Sequence, residues 1–456
     1  MIRMDAYENK YRQMTEPPVS KLICKLAVPC IISMLVTSFY NMADTYFVGM
    51  LGSNAATGAV GVVFSMMAII QAVGFFYGQG SGNYISRELG KKNYTEASNM
   101  AATGFYASLA TGLLICILGQ IFLEPLAYFL GSTPTILPYT EAYLRVILIG
   151  APWMTASLVL NNQLRFQGSA HYAMYGIVSG AVLNIALDPL LIFTFDMGVA
   201  GAGWATIISQ FVSFCLLLRG CSKGNNISIR IRNVKLKWYY FQMIIRGGLP
   251  SLARQSLASV ATICLNHAAQ PFGDAVIAAM GVVQRVTMFG FSTMLGFGQG
   301  FQPVCGFNYG AGLYSRVKEG FRFCVKVSFI FLVSISILGY IFAPEIISLF
   351  RDDPDVIACG ARALRFQCIT ICLQSWVVTS NMTMQSTGKV LPATFLAVAR
   401  QGLFFIPSVI ILSHCFGLVG IQMSQSIADL LTFICSVPLS LHVLKSFPAD
   451  LPQSKG

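Results

Sequence analysis

Asn184-Ile-Ala-Leu-Asp188-Pro189 lies inside an apolar run from about Tyr172 to Phe195. A helix brings positions i and i+4 onto one face, so the Asn184 amide and the Asp188 carboxylate point the same way. Pro189 has no N–H to give and its ring crowds the Ile185 carbonyl, so the helix should bend beside the acid. At bilayer depth an ionisable group costs at least about 2.5–3.5 kcal/mol, and it marks a functional site by default. The bland alternative is a structural acid paired with a buried Arg, but no basic residue lies within two turns of Asp188 along the chain.

The rest of the chain fits a membrane setting. Of 456 residues, 55% are hydrophobic and only 11% charged, with a mean hydropathy of +0.66. Soluble domains carry about 25% charged residues. Twelve apolar runs are long enough to cross about 30 Å of hydrocarbon. The expected fold is an all-α polytopic membrane protein, with twelve transmembrane helices in two pseudo-symmetric six-helix bundles.

The net charge of +12 is distributed by loop. Lys and Arg fill every second one: Arg87, Lys91 and Lys92, then Arg165, then Lys223, Arg230, Arg232, Lys235 and Lys237, then Arg316 and Lys318. The intervening loops are acidic or uncharged, as in Glu345, Asp352, Asp353 and Asp355. Positive charge stays on the cytoplasmic side, so both termini face the cytoplasm. The domains expected are a cytoplasmic tail at 1–20, a first lobe at 21–219, a basic cytoplasmic linker at 220–243, a second lobe at 244–444 and a tail at 445–456. A nucleic-acid binder would gather its basic residues on one solvated domain with interleaved aromatics, and no stretch does so.

The halves repeat. Gly78-Gln79-Gly80 returns as Gly298-Gln299-Gly300, Leu144-Arg145 as Leu364-Arg365, and Asn161 with Gly168 as Asn381 with Gly388, all at an offset of 220. One residue off, Gly198 and Gly201 become Gly417 and Gly420. Six spans per half make the repeat parallel, with a substrate pathway expected where such halves meet. The acids do not repeat: with Pro189 set against Pro407, Asp188 faces Ile406 and Asn184 faces Gly402, and Asp44 corresponds to Leu265. Shared scaffold with unshared acids places an ion site in the first half.

Pro29 should kink the first span. Beyond it Thr37, Tyr40, Asn41 and Asp44 form a polar stripe at near-helical spacing, unless Asp44 merely sits solvated at the outer interface. Gly198 to Gly203 opens the sixth span and allows close helix approach. Thr206 follows, and its bland role is a bond to its own backbone. Arg145, Arg254, Arg285, Arg365 and Arg400 lie within spans and can snorkel; Asp429 is a possible partner for Arg400. The thirteen cysteines show no CxxC pair, so neither zinc nor a disulfide framework is expected.

In these residues the chain resembles the multidrug and toxic-compound extrusion (MATE) transporters, and among them the bacterial MepA-like exporters. The resemblance spans about 20–445. It rests on the twelve-span duplication, Pro29, Asp44-Thr-Tyr-Phe-Val-Gly49, and the order of Asn184-Ile-Ala-Leu-Asp188-Pro189 before Gly198 to Thr206. It implies a V-shaped pair of bundles that exports amphipathic, often cationic compounds. It implies a first-lobe cation or proton site at Asp44, Asn184, Asp188 and Thr206, cavity positions at Tyr40 and Asn161, and helix bending at Pro29 and Pro189. Gln255 stands where one branch of the family has a second-lobe acid.

The function expected is therefore antiport of small amphipathic organic molecules against H⁺ or Na⁺, by a monomer in a bacterial cytoplasmic membrane, with no other cofactor or metal and no nucleic-acid partner. The alternative on a similar fold is a flippase for lipid-linked oligosaccharides or lipids. No G-x-x-x-x-G-K-[ST] is present for an ATP-driven pump. His171, His267, His414 and His442 are scattered, so an enzyme is not expected.

Overall fold

The computed structural model describes residues 2–451, and within them the side chains of all but 2–6, 41, 45, 54 and 57. Among the described residues there are sixteen α-helices and no strand. The first half runs α1 (Ile2–Thr15), α2 (Val19–Gly49), α3 (Asn54–Gly90), α4 (Tyr94–Ile121), α5 (Leu123–Phe129), α6 (Leu137–Phe166), α7 (Ala170–Pro189) and α8 (Gly198–Cys221). The second runs α9 (Trp238–Ala269), α10 (Asp274–Gly310), α11 (Tyr314–Ile341), α12 (Ala343–Ser348), α13 (Pro354–Thr370), α14 (Gln374–Ser386), α15 (Val390–Val398) and α16 (Ile406–Lys445). A π-helical segment follows α7 at Leu190–Thr194, and another joins α15 to α16 at Ala399–Phe405.

Among the described residues ten helical stretches are long and apolar enough to cross a membrane, and the last of them, Val390–Lys445, has 56 residues. At 1.5 Å per residue that is about twice what one crossing needs, and it breaks at Gly417, with φ 57° and ψ −131°. It therefore holds two crossings. The 32-residue α9 is long enough to be a further one, its hydropathy lowered by Arg246, Arg254 and His267. The layout is twelve membrane helices, six per half.

The duplication is visible in the backbone. Gly198 and Gly417 both sit at φ +57°, and Gly168 and Gly388 at +79° and +76°. A side chain is strained there, which is why glycine recurs at the head of each closing helix. The cores correspond as well. Val63 and Leu144 in the first half, and Val283 and Leu364 in the second, are almost fully buried in repeat-related clusters.

The compact units differ from the expected lobes at their edges. One holds residues 1–16 and 32–248, the other 17–31 and 249–456. The start of α2 thus packs in the second unit and the start of α9 in the first. A Cβ on Gly80 would lie 2.4 Å from the Ile244 carbonyl oxygen, and one on Gly300 2.4 Å from Ala27 Cα. The repeated Gly-Gln-Gly marks where an exchanged helix start crosses at backbone contact. Pro29 and Pro250 lie within two residues of the two changeovers.

The segment expected as a polar tail is mostly helical. Lys10 and Met14 of α1 are buried, with Met14 against Gly168. Lys10 Nζ donates to Asn226 Oδ1 at 2.5 Å and to Ser169 Oγ at 3.0 Å. Burial pushes its ammonium down to about 7. The linker is also held down, with Ile227 N donating to Gln167 Oε1 and Lys235 N to Thr103 Oγ1.

Candidate functional site

The α7 helix turns Asn184 and Asp188 inward. Asn184 is 1% exposed and Asp188 is not exposed at all. The Asn184 Nδ2 donates to Asp188 Oδ1 at 3.3 Å. The α-helix ends at Pro189 and the chain continues with i→i+5 spacing, so the proline's missing donor falls just after the acid. π segments of this kind recur at functional sites. Among the described residues no basic side chain pairs with Asp188, which removes the structural ion-pair alternative.

Asp44, on the late turns of α2, lies within electrostatic reach of Asp188. Its Oδ1 is shielded from water and makes no hydrogen bond, so it is not simply solvated. Tyr40, one turn earlier and 8% exposed, faces Gln210 and both acids. The side chain of Asn41 lies outside the described residues. Thr206 on α8 does not bond its own backbone, and its hydroxyl is buried without a partner.

Three contributors have no counterpart in the sequence reading. Tyr143 on α6 is fully buried; its ring fills the space left by Gly203, where a Cβ would stand 2.8 Å from Cδ2. Its hydroxyl faces Thr206 without a bond of ordinary length. Ser209 and Gln210 continue the Thr206 face at i+3 and i+4, a polar triplet that the apolar surroundings of α8 could have revealed.

Asp44 Oδ1, Asn184 Oδ1, Asp188 Oδ2, Thr206 Oγ1 and Ser209 Oγ are thus buried oxygens without hydrogen bonds in the first unit. Buried polar atoms are normally satisfied. Acceptor oxygens left over around two acids are a donor set that suits a proton or a hard cation.

Asn161 has a different neighbourhood. Its Nδ2 donates to the Ala173 carbonyl at 3.2 Å, and its repeat partner Asn381 donates to the Ala393 carbonyl at 2.6 Å. Both tie one membrane helix to the next. In the second unit, Arg400 Nε meets Asp429 Oδ1 at 2.9 Å, the pairing the sequence left open. Arg365 Nε donates to the Tyr340 carbonyl. Among the described residues no group of three or more His, Cys, Asp or Glu is arranged to hold a metal.

A buried acid without a counter-charge, beside a second acid in a duplicated bundle of membrane-length helices, defines a polytopic membrane transporter. The chain belongs to the MatE family, whose pattern matches residues 29–190 and 250–411, once in each half. It is 27% identical over 416 residues to the multidrug export protein MepA of Staphylococcus haemolyticus, covering 91% of each chain. Against MepA of Staphylococcus aureus strain MSSA476 it is 27% identical over 429 residues, covering 94% of each. Among solved structures, a multidrug resistance MATE family transporter of the MOP superfamily, in an outward-facing conformation, superposes with a TM-score of 0.90 at 26% identity, covering 95% of this chain and 98% of that one.

Proposed function

We propose that the protein is a cation-coupled antiporter, using H⁺ or Na⁺, that exports amphipathic, often cationic compounds by alternating access. It works as a monomer in the bacterial cytoplasmic membrane with both termini inside. The observation that carries this reading is the cluster of unsatisfied oxygens around Asp188 and Asp44. Kinship to multidrug export proteins supports the cargo class.

In the proposed cycle Asp188 accepts the entering cation, with Asp44, Asn184 and Thr206 supplying further oxygens. Loading removes the mutual repulsion of the two acids. That change in local charge biases the bends at Pro29 and Pro189, and the first-lobe cavity, lined at Tyr40 and Asn161, closes and expels its cargo. One inward cation driven by 100 mV supplies about 2.3 kcal/mol, enough for roughly fifty-fold accumulation.

The test is ethidium efflux from cells, with and without a protonophore and under separately imposed pH and Na⁺ gradients. Efflux that collapses with one of those gradients is expected. Wild-type rates in an Asp188→Asn variant that reaches the membrane overturn the mechanism. A lipid flippase would leave ethidium unmoved in every arm.

A further inference from the structure

The middle of the second unit carries positive charge that the coupling cycle does not use. Arg254 lies sixteen residues into the 32-residue α9, at mid-helix and so about 24 Å from its start. Among the described residues it makes no hydrogen bond and no ion pair, and its charged neighbour is another cation, Arg400. Arg400 sits on the π segment Ala399–Phe405. That segment packs on α9 close to Arg254: a Cβ on Gly402 would lie 2.9 Å from Leu257 Cδ1.

Arg400 is itself only half engaged. Its bond to Asp429 runs through Nε, at 2.9 Å. Asp429 Oδ1 also accepts from Gln425 Nε2 at 2.8 Å, so that oxygen is shared. The Phe291 ring lies under the guanidinium, 4.9 Å from its centroid. Arg400 thus shares one carboxylate beside an aromatic plane, while Arg254 next to it has none. Arg254 is half-buried at the middle of its helix. An Arg at membrane mid-depth with no counter-charge is costly and marks a function. Guanidinium forks match a carboxylate in two bonds at once.

We infer that Arg254 and Arg400 form a subsite in the second unit for the carboxylate of an amphipathic aromatic substrate, with Phe291 beside its ring. The inference rests on the exporter reading for its substrate but not on the coupling ion. Cargo of this transporter then includes zwitterions and organic anions as well as cations.

A matched pair of dyes tests it: rhodamine B, which carries a free carboxylate, and its ethyl ester, which does not. Binding of each to the purified full-length protein is followed by fluorescence polarisation. Arg254→Gln is expected to weaken rhodamine B by at least about tenfold, as for loss of a charged hydrogen bond, with the ester changed less than about twofold. Arg254→Lys, which keeps the charge but not the fork, should recover only part of the rhodamine B affinity. Retained ester binding shows that the variant is folded. Adding phosphatidylglycerol or phosphatidylcholine micelles tells a lipid phosphate from a free carboxylate. The inference is overturned if the anionic lipid alone displaces rhodamine B, if acid and ester weaken equally, or if wild type fails to prefer the acid. Asp188→Asn should leave the dye preference intact while stopping gradient-driven export, so failure of the coupling mechanism and failure of the subsite are separable.

Discussion

Each half of the chain has a π segment beside a repeat-related proline, yet the charge that accompanies it is opposite. Leu190–Thr194 follows Asp188 and Pro189, whereas Ala399–Phe405 carries Arg400 and precedes Pro407. At the offset of 219 that relates Gly201 to Gly420, Thr206 corresponds to Gln425 and Gln210 to Asp429. Tyr143 corresponds to Ala363, and Asp44 to Leu265. In the first unit Asp44 and Asp188 are left without a counter-charge and the surrounding oxygens without partners. In the second, Asp429 is bonded by Arg400 and Gln425. Duplication has thus kept the helix breaks and the glycines and let the polar lining diverge. A position free to change side chain without moving the backbone is where two lobes of one scaffold can take up different chemistry.

The comparison breaks most decisively at the acids. Asp188→Asn should lower gradient-driven efflux to the passive level, whereas Ile406→Asp, at the matching position of the second half, should create no coupling of its own. Next comes the ion pair. Asp429→Asn strands Arg400 in a buried setting and should cost about 3–5 kcal/mol, while replacing both members with Met and Leu should cost far less; thermal unfolding in detergent gives the order.

The exchanged helix starts come third. Gly80→Ala and Gly300→Ala each push a Cβ into backbone rather than into a flexible side chain. Overpacking of that kind should cost about 1–3 kcal/mol in each half alike, read as a lowered Tm. Asn161→Ala and Asn381→Ala should each lose about 1–2 kcal/mol from one interhelix bond. If Asn161 also lines the cavity, its variant alone loses ethidium transport beyond that shared stability loss.

The smallest effect concerns α1. Lys10 drops from its usual value to about 7 when docked. Undocked α1 therefore binds more protons between about pH 7 and 10, so docking strengthens as pH rises through that window. Hydrogen exchange in residues 2–15, corrected for intrinsic rate, should slow accordingly, and Lys10→Met should abolish the trend.

Much of this was legible in the sequence because the bilayer forces regularity. Apolar run length gave the crossings, and Gly, Pro and Arg spacing gave the duplication. Asp188 stood out since a lone carboxylate in twenty apolar residues has no cheap explanation. Tyr143 did not, because nothing in a linear pattern says that its ring will fill the space beside Gly203 on another helix. The docked α1 was hidden for the same reason: Lys10 reads as a solvated charge until Ser169 and Asn226 are seen around it. The membership of residues 17–31 was hidden too, since Gly80 and Gly300 look alike whether they admit a neighbour from their own half or from the other.

That reciprocal exchange has a consequence for biogenesis. A ribosome that has released the first six crossings has not yet supplied residues 238–248, so the first unit stays unfinished until the seventh crossing begins. The second unit, conversely, waits on a piece made at the very start. Severing the chain at the basic linker would yield two fragments that each lack a wall, and they would have to be co-inserted to regain a working transporter.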